Sequence, residues 1–372
     1  MVAAFGIAYD WLYEALTDDQ KSQMRSNMIL YGLGPGKTVF DGTGNGTVIG
    51  WWKSNTTGNW NCVCNGGLTL GALAILGDDT TGTAEYLLGQ TITDALANCV
   101  NAVTTDGTWA ETANYWYFGT SGHAEMASAL LTATGSDYGL MDQNSKFRDT
   151  GYFHMYAHGP TSLFDYGDHG PNKFSSTANC MFFYGDQFNI PEYALYQRDQ
   201  RDSAEPWSMF WYDANAAGAW WANLPLDRFF LDNTDQWASM RSSWTDNNAL
   251  FVAMKAGKDV GHQTHNDLDC GDFVLDAMGT RWGGELGSGD YLSLDYFQSD
   301  AQDAVRWLYY RKRTEGQNTM VVAHSNQLVT AAPTVKNGSS GTLQSSGTTV
   351  YEFPKNSNAF FTADLTSAYG NV

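Results

Sequence analysis

The pattern of hydrophobic and polar positions changes its period once along the chain, near residue 235. Before that point apolar residues recur at helical spacing from Ala8 to Leu16, Gly67 to Leu76, Ala84 to Val103, Ala124 to Thr132 and Asp142 to Ala157. A further helix runs to Leu30 from the cap-like start Thr17-Asp18-Asp19-Gln20. Gly- and Asn-rich loops join these segments. After residue 235 the apolar runs are short, β-branched or aromatic, and bounded by Gly, Asn or Asp: Trp237 to Trp244, Ala249 to Lys255, Phe273 to Met278, Thr319 to Ala323, Thr348 to Phe353 and Ala359 to Leu365. Helices first and strands afterwards predict an α+β multidomain chain: an α/α toroid, whole or partial, over 1–235 and an antiparallel β-sandwich over 236–372. No fixed-period repeat is visible.

Length agrees with that division, because 372 residues exceed one ordinary core. With 43% hydrophobic and 14% aromatic residues the chain has ample apolar surface to bury, which excludes disorder for most of it. The formal charge of −20, from 40 acidic against 20 basic residues, opposes nucleic acid and anionic membrane surfaces as partners. It argues equally against a densely sulfated polyanion. Five cysteines, an odd number at no metal-finger spacing, argue against a disulfide framework and leave room for one or two bridges. No segment reaches the ~20 apolar residues of a membrane span. The opening Met1 to Ala8 lacks a basic region and runs into helix-like text, so it is read as the start of a helix and not as a signal peptide. Low Lys content and sequons at Asn45, Asn55 and Asn337 lean toward an exported protein, extracellular or periplasmic.

Candidate chemistry concentrates between Gly261 and Thr319, in GHQTHNDLDCGDFVLDAMGTRWGGELGSGDY followed by YYRKRTEGQNT. Phe273, Val274 and Leu275 read as a buried strand and Gly279 as a turn, while His262, His265, Asp267 and Asp269 crowd the approach. A core strand does not need that cluster. The run resembles the C-terminal sheet module of the heparinase II/III-like polysaccharide lyases. Earlier blocks carry the same resemblance: AYDWLYEALTDDQ from Ala8, NWNCVCNGGLTLGALAILGDD from Asn59, DGTWAETANYWYFGT from Asp106 and FDYGDHGPN from Phe164. Against that family the chain looks cut at both ends, as a fragment or a divergent short member would.

The resemblance implies β-elimination on a uronic-acid-containing polysaccharide. That reaction must remove the proton on C5, beside a carboxylate that resists carbanion formation, and must protonate the departing O4. It needs a neutraliser for the carboxylate, a base and an acid. Asn61 as neutraliser and Tyr115 as acid, and as base too, lie 54 residues apart, in stretches that read as loops at the ends of helical segments. Asn59 or Asn65 can exchange with Asn61, and Tyr117 with Tyr115. A free phenol, pKa ~10, is a poor base at neutral pH. His265 is the expected neighbour that lowers it, or the base itself, ahead of His169, His262 and His123. Trp51, Trp52, Trp60, Trp109 and Trp116 offer indole faces for sugar rings. Glu111 is a candidate general acid or a partner that orients Tyr115, and Arg306, Arg311, Lys312 and Arg313 form a basic patch able to reach a carboxylate. Each has a plain structural alternative: Asn61 as a turn residue, Tyr115 and the indoles as core, Glu111 as a solvated carboxylate, the patch as partner to the acidic surface.

Where relatives in that family carry ligands to a structural zinc, the matching positions here are Asp267, Glu285 and Gln317, all oxygen donors. These oxygen donors disfavour zinc on nitrogen ligands and suit a structural divalent cation (Ca, Mn or Zn) or a hydrogen-bonded cluster without metal. No cofactor is required for the chemistry. Two other classes compete: a glycoside hydrolase using Glu111 with Asp165 or Asp168, and a non-catalytic carbohydrate-binding fragment. A uronate epimerase shares the first proton abstraction. Alginate, glucuronan or a chondroitin-like chain suits the net acidity better than heparin.

Overall fold

The computed structural model of the protein describes residues 1–43, 50–169, 178–200, 203–232, 234–262, 264–335 and 361–370. The chain forms two compact units, Met1–Ala102 with Tyr117–Phe147, and Val103–Trp116 with Arg148–Val372. The sequons at Asn45 and Asn337 and the expected strand Thr348 to Phe353 lie outside the described residues.

The first unit is helical. It contains α1 (Val2–Trp11), α2 (Asp18–Met28), α3 (Gly34–Asp41), α4 (Asn59–Ile75), α5 (Thr83–Ala97) and the part of α6 (Ala113–Thr134) from Tyr117 onward. The start of α2 follows its sequence signal: the Thr17 hydroxyl accepts the Gln20 backbone N–H at 3.3 Å, and the Gln20 side chain accepts the Thr17 N–H at 2.9 Å. Tyr9, Leu33, Ala72, Ile75 and Leu87 pack into its core. A disulfide joins Cys62 in α4 to Cys99, just past α5.

Both α4 and α6 begin earlier than their apolar spacing predicts, at Asn59 in place of Gly67 and at Ala113 in place of Ala124. Asn, Gly, Cys and aromatic residues are weak helix formers, so the stretches read as loops; packing overrides that propensity. Gly66 and Gly122 show how. A Cβ on Gly66 would stand 2.6 Å from the Gly122 carbonyl oxygen, and one on Gly122 would stand 2.9 Å from the Cys62 carbonyl oxygen. The two helices cross backbone to backbone, and only glycine leaves room for that.

The second unit holds α7 (Thr150–Ala157), α8 (Cys180–Gln187), α9 (Pro191–Arg198) and a five-stranded sheet. Its strands are β1 (Asp227–Leu231), β2 (Gln236–Arg241), β3 (Phe251–Lys255), β4 (Phe273–Ala277) and β5 (Thr280–Gly283), in sequential antiparallel order. Along β3, Phe251, Ala253 and Lys255 are buried and alternate with half-buried residues, the period-2 pattern of a strand with one covered face. Trp237 fills that core, stacked on Phe230 at 4.4 Å and edge-on to Phe153 at 5.5 Å. Met278 and Gly279, both with positive φ (54° and 71°), make the two-residue hairpin between β4 and β5 that Gly279 signals. Strands β1 and β5 have no counterpart among the sequence expectations. Thr319 to Ala323, expected as a strand, is not one: the Thr319 hydroxyl donates to the Cys270 carbonyl at 2.6 Å, and Ala323 and His324 turn the chain with φ of 51° and 56°. A short pair joins Thr334–Val335 to Ala363–Asp364.

Candidate active site

Within the second unit a set of polar groups converges on one imidazole. The His265 ring stacks on the Tyr115 ring with centroids 3.8 Å apart and planes 17° from parallel. Its Nδ1 lies 3.0 Å from Asp168 Oδ2, and its Nε2 lies 3.3 Å from Glu111 Oε1. Burial alone would lower the His265 pKa, but the bonds to Asp168 and Glu111 outweigh it and raise the value. Each ring nitrogen thus faces a carboxylate, an arrangement that favours the imidazolium form.

Backbone geometry explains why these groups meet. The Asp168 N–H donates to the His265 carbonyl at 2.8 Å, and a Cβ on Gly167 would stand 2.6 Å from that same oxygen. At the start of α6 the Asn114 N–H donates to Asp165 Oδ1 at 2.9 Å, which fixes the helix turn carrying Tyr115 to the loop carrying Asp168. His262 Nδ1 lies 2.9 Å from the Glu111 carbonyl oxygen and 3.1 Å from Asp235 Oδ1, which ties down the Glu111 loop; burial pulls the His262 pKa down to about 3.

Beneath the imidazole sits a buried cation. The Lys312 ammonium donates to Asp168 Oδ1 at 2.7 Å and lies 2.5 Å from Asp267 Oδ1. The Tyr296 hydroxyl also donates to Asp168 Oδ1 at 2.7 Å. Burial by itself would raise the Asp168 pKa; Lys312 and His265 more than offset it, and the value falls to about 2. Toward solvent the site ends in a phenol pair, with the hydroxyls of Tyr115 and Tyr291 at 2.5 Å and Tyr291 38% exposed. Burial raises the Tyr115 pKa, and the bond to Tyr291 offsets only part of that. The sequence argument asked for a neighbour that lowers it; in the structure the phenol stays protonated.

The other expected residues fall out as follows. Asn61 and Tyr115 are not in loops but inside α4 and at the start of α6. Asn61 belongs to the first unit and is buried there: its amide donates to the Trp52 carbonyl at 3.1 Å and to Asp94 Oδ2 at 2.7 Å, and its oxygen accepts from Asn65 at 3.0 Å. Asn65 is equally buried and also donates to Asp94, at 2.8 Å. Trp60, in the same unit, is 47% exposed and meets Trp51 edge-on at 5.9 Å. Trp109 is a correction. It is fully buried, its indole N–H reaching Glu111 Oε2 at 3.5 Å, so it supports Glu111 and presents no face to a sugar. Trp116 is likewise core.

His169 is half-buried, and its carbonyl accepts the Ser288 N–H at 3.0 Å. Arg311 donates to the carbonyls of Leu286 and Ser288 at 2.9 and 3.0 Å, so both residues brace the loop leading to Tyr291. The basic patch is not a surface: Arg306 and Lys312 are buried, and Arg306 pairs with Asp300 at 2.7 Å. Glu111 and Asp168 are both turned to His265, which removes them as a carboxylate pair flanking a glycosidic bond.

Of the three oxygen donors, Asp267 is paired with Lys312, Gln317 donates to the Arg311 carbonyl at 2.8 Å, and Glu285 shares a hydrogen bond with Asp272. Among the described residues no group of three or more His, Cys, Asp or Glu is placed to hold a metal ion. The donor set does not fit a divalent cation, because an ammonium already stands against Asp267. Tyr291 and Tyr296 were missed as site residues, although Tyr291 ends the motif that drew attention to the region.

By sequence, no family model and no curated protein matches the chain. By fold, it is similar to a crystal structure of heparinase III at 17% identity and a TM-score of 0.50, covering 76% of this chain and 42% of that one. A mutant heparan sulfate lyase from Pedobacter heparinus is similar at 13% identity and a TM-score of 0.53, covering 78% and 41%. A second heparinase III structure reaches 15% identity and a TM-score of 0.54, covering 91% and 47%. The chain spans less than half the length of these structures. At such identities the likeness is one of fold, and it falls on heparinase III and heparan sulfate lyase structures, the group that the motifs resemble.

Proposed function

We propose that the chain is a polysaccharide lyase that cleaves a uronic-acid-containing polymer by β-elimination. The observation that carries the reading is the protonated phenol of Tyr115 lying against an imidazolium that two carboxylates hold in place. A phenol that keeps its proton at neutral pH is a ready acid for the departing O4. To act as the base as well it must first pass that proton to water by way of the 38% exposed Tyr291 hydroxyl at 2.5 Å; Tyr291 and the ring beside it would stabilise the phenolate, which then takes the C5 proton and delivers it to O4. His265 then serves as a fixed charge near the substrate carboxylate; with both nitrogens facing carboxylates it is not the base. Asn61 is proposed as neutraliser on its motif and its spacing of 54 residues before Tyr115.

The α/α toroid over 1–235 and β-sandwich over 236–372 belong to the same proposal, supported by the fold similarity to heparinase III. The substrate class follows those neighbours, an acidic glycosaminoglycan or related polyuronate, and the net charge of −20 favours one with little sulfate. Export is proposed with it: the Cys62–Cys99 disulfide suits an oxidising compartment. Among the described residues no helix is long and apolar enough to cross a membrane. Elimination leaves a conjugated 4,5-unsaturated uronate, so ultraviolet absorbance followed over a panel of polyuronates tests the reading. We expect a rise with at least one polymer and its loss in Tyr115→Phe. New reducing ends without absorbance would replace the lyase by a hydrolase.

A further inference from the structure

A cavity in the same unit, of about 390 Å³, opens beside the end of β2 that carries Arg241. The register shows the separation: Trp237 pairs with Lys255, next to the buried polar network, while the cavity residue Arg241 pairs with Phe251. Four residues along a strand amount to ~13 Å. The volume sits toward the lower end of the roughly 300–1,000 Å³ range of small-ligand sites.

Its walls are indole and phenol. Trp220 meets Tyr196, Trp221 and Trp244 edge-on at 5.0, 5.4 and 5.3 Å, and Trp221 is 38% exposed. The floor is Arg241, whose guanidinium carbon lies 3.6 Å from the Trp244 ring centre. Arg241 is only 9% exposed and donates to the Tyr156 carbonyl at 3.1 Å, and its Nε has no hydrogen-bond partner. Burial pulls its pKa down to about 10, so it remains a cation. Buried charges are normally paired, because removing an ion from water costs several kcal/mol. Among the described residues no carboxylate is in salt-bridge contact with this one; Asp227 and Asp276 act on it only from beyond that range. The two carboxylates at the rim are committed elsewhere: Asp199 pairs with Arg198 at 2.8 Å and accepts the Trp220 indole N–H at 3.0 Å, and Asp246 accepts the Asn248 N–H in an exposed loop.

An apolar ring face against indole, with an anionic substituent directed at Arg241, satisfies both features. We propose that this cavity is a second saccharide site, distinct from the one at Tyr115, that takes one acidic sugar unit with its ring on Trp221 and its carboxylate toward Arg241. A second site of this kind would hold a long chain while its cut end is processed. The choice of sugar rests on the polyuronate reading; the cavity and its unpaired cation do not.

The test is calorimetric titration of the whole chain carrying Tyr115→Phe with glucuronan, alginate and chondroitin hexasaccharides, before and after adding Trp221→Ala or Arg241→Gln. We expect binding of at least one hexasaccharide, weakened roughly tenfold by Trp221→Ala, as truncation of an aromatic anchor does. Trp221→Ala alone, with Tyr115 intact, should raise KM for polymer and leave kcat unchanged. Unchanged affinity in Trp221→Ala, or no binding of any hexasaccharide at millimolar concentration, overturns the site; the exposed Trp221 serves if Arg241→Gln fails to fold. Binding that depends on Trp221 in a chain that eliminates no polymer would leave this site standing and remove the lyase reading instead.

Discussion

Lys312 sits out of water with its ammonium between Asp168 and Asp267, and it holds in place the carboxylate that holds His265. Lys312→Met would leave buried Asp267 facing Asp168 without the ammonium between them. We expect a loss of about 3–5 kcal/mol in urea unfolding, with a larger loss than Arg313→Met, whose partner Glu315 is exposed. His265 gives a pH signature. Its folded pKa is raised, so its contribution is fully present below the unfolded value of about 6.5 and is lost as pH rises through the folded value. The stability difference between wild type and His265→Gln should therefore be greatest below pH ~6.5 and shrink above it; a difference that grows with pH would mean the ring is neutral. Residue identity was legible here to a point: His265 and Tyr115 stood out in the sequence and do stack. The lysine and the second phenol did not, because a Lys in a basic run looks like surface until its burial is seen.

At the scale of elements, the helix crossing at Gly66 and Gly122 decides where α4 and α6 lie in the first unit. Gly122→Ala drives a methyl group into the Cys62 carbonyl and the Val63 Cα, and should cost about 1–3 kcal/mol, read from the urea midpoint; Gly67→Ala, inside α4 with nothing within 4 Å, should instead stabilise by up to about 1 kcal/mol. Periodicity located most helices and three of the five strands of the sheet, because each of those elements buries one face and shows the period of that burial. It failed at the first turns of α4 and α6. Those turns are polar, glycine-rich or aromatic, and their stability comes from what they pack against, not from propensity. It failed also at β1 and β5, short segments recognisable only by their pairing with β2 and β4.

For the molecule as a whole, the disulfide between Cys62 and Cys99 closes a loop of 37 residues. Its reduction should lower the stability of the first unit by about 3–4 kcal/mol, measured as a fall in thermal midpoint with reductant; the Cys62→Ser/Cys99→Ser double variant should match the reduced protein. The sequence by itself determined the order of helical and sheet parts, the net acidity and the location of the chemistry-bearing motif, since these depend on composition and local period alone. It could also show that oxygen donors replace nitrogen at the expected metal positions. Only the tertiary structure decided that Glu111 and Asp168 serve His265, that Trp109 is core, that an ammonium stands against Asp267, and that Arg241 lines a separate cavity. Those are statements about which groups share a low-dielectric space, and pairing across 97 residues, as between His265 and Asp168, leaves no trace in local pattern.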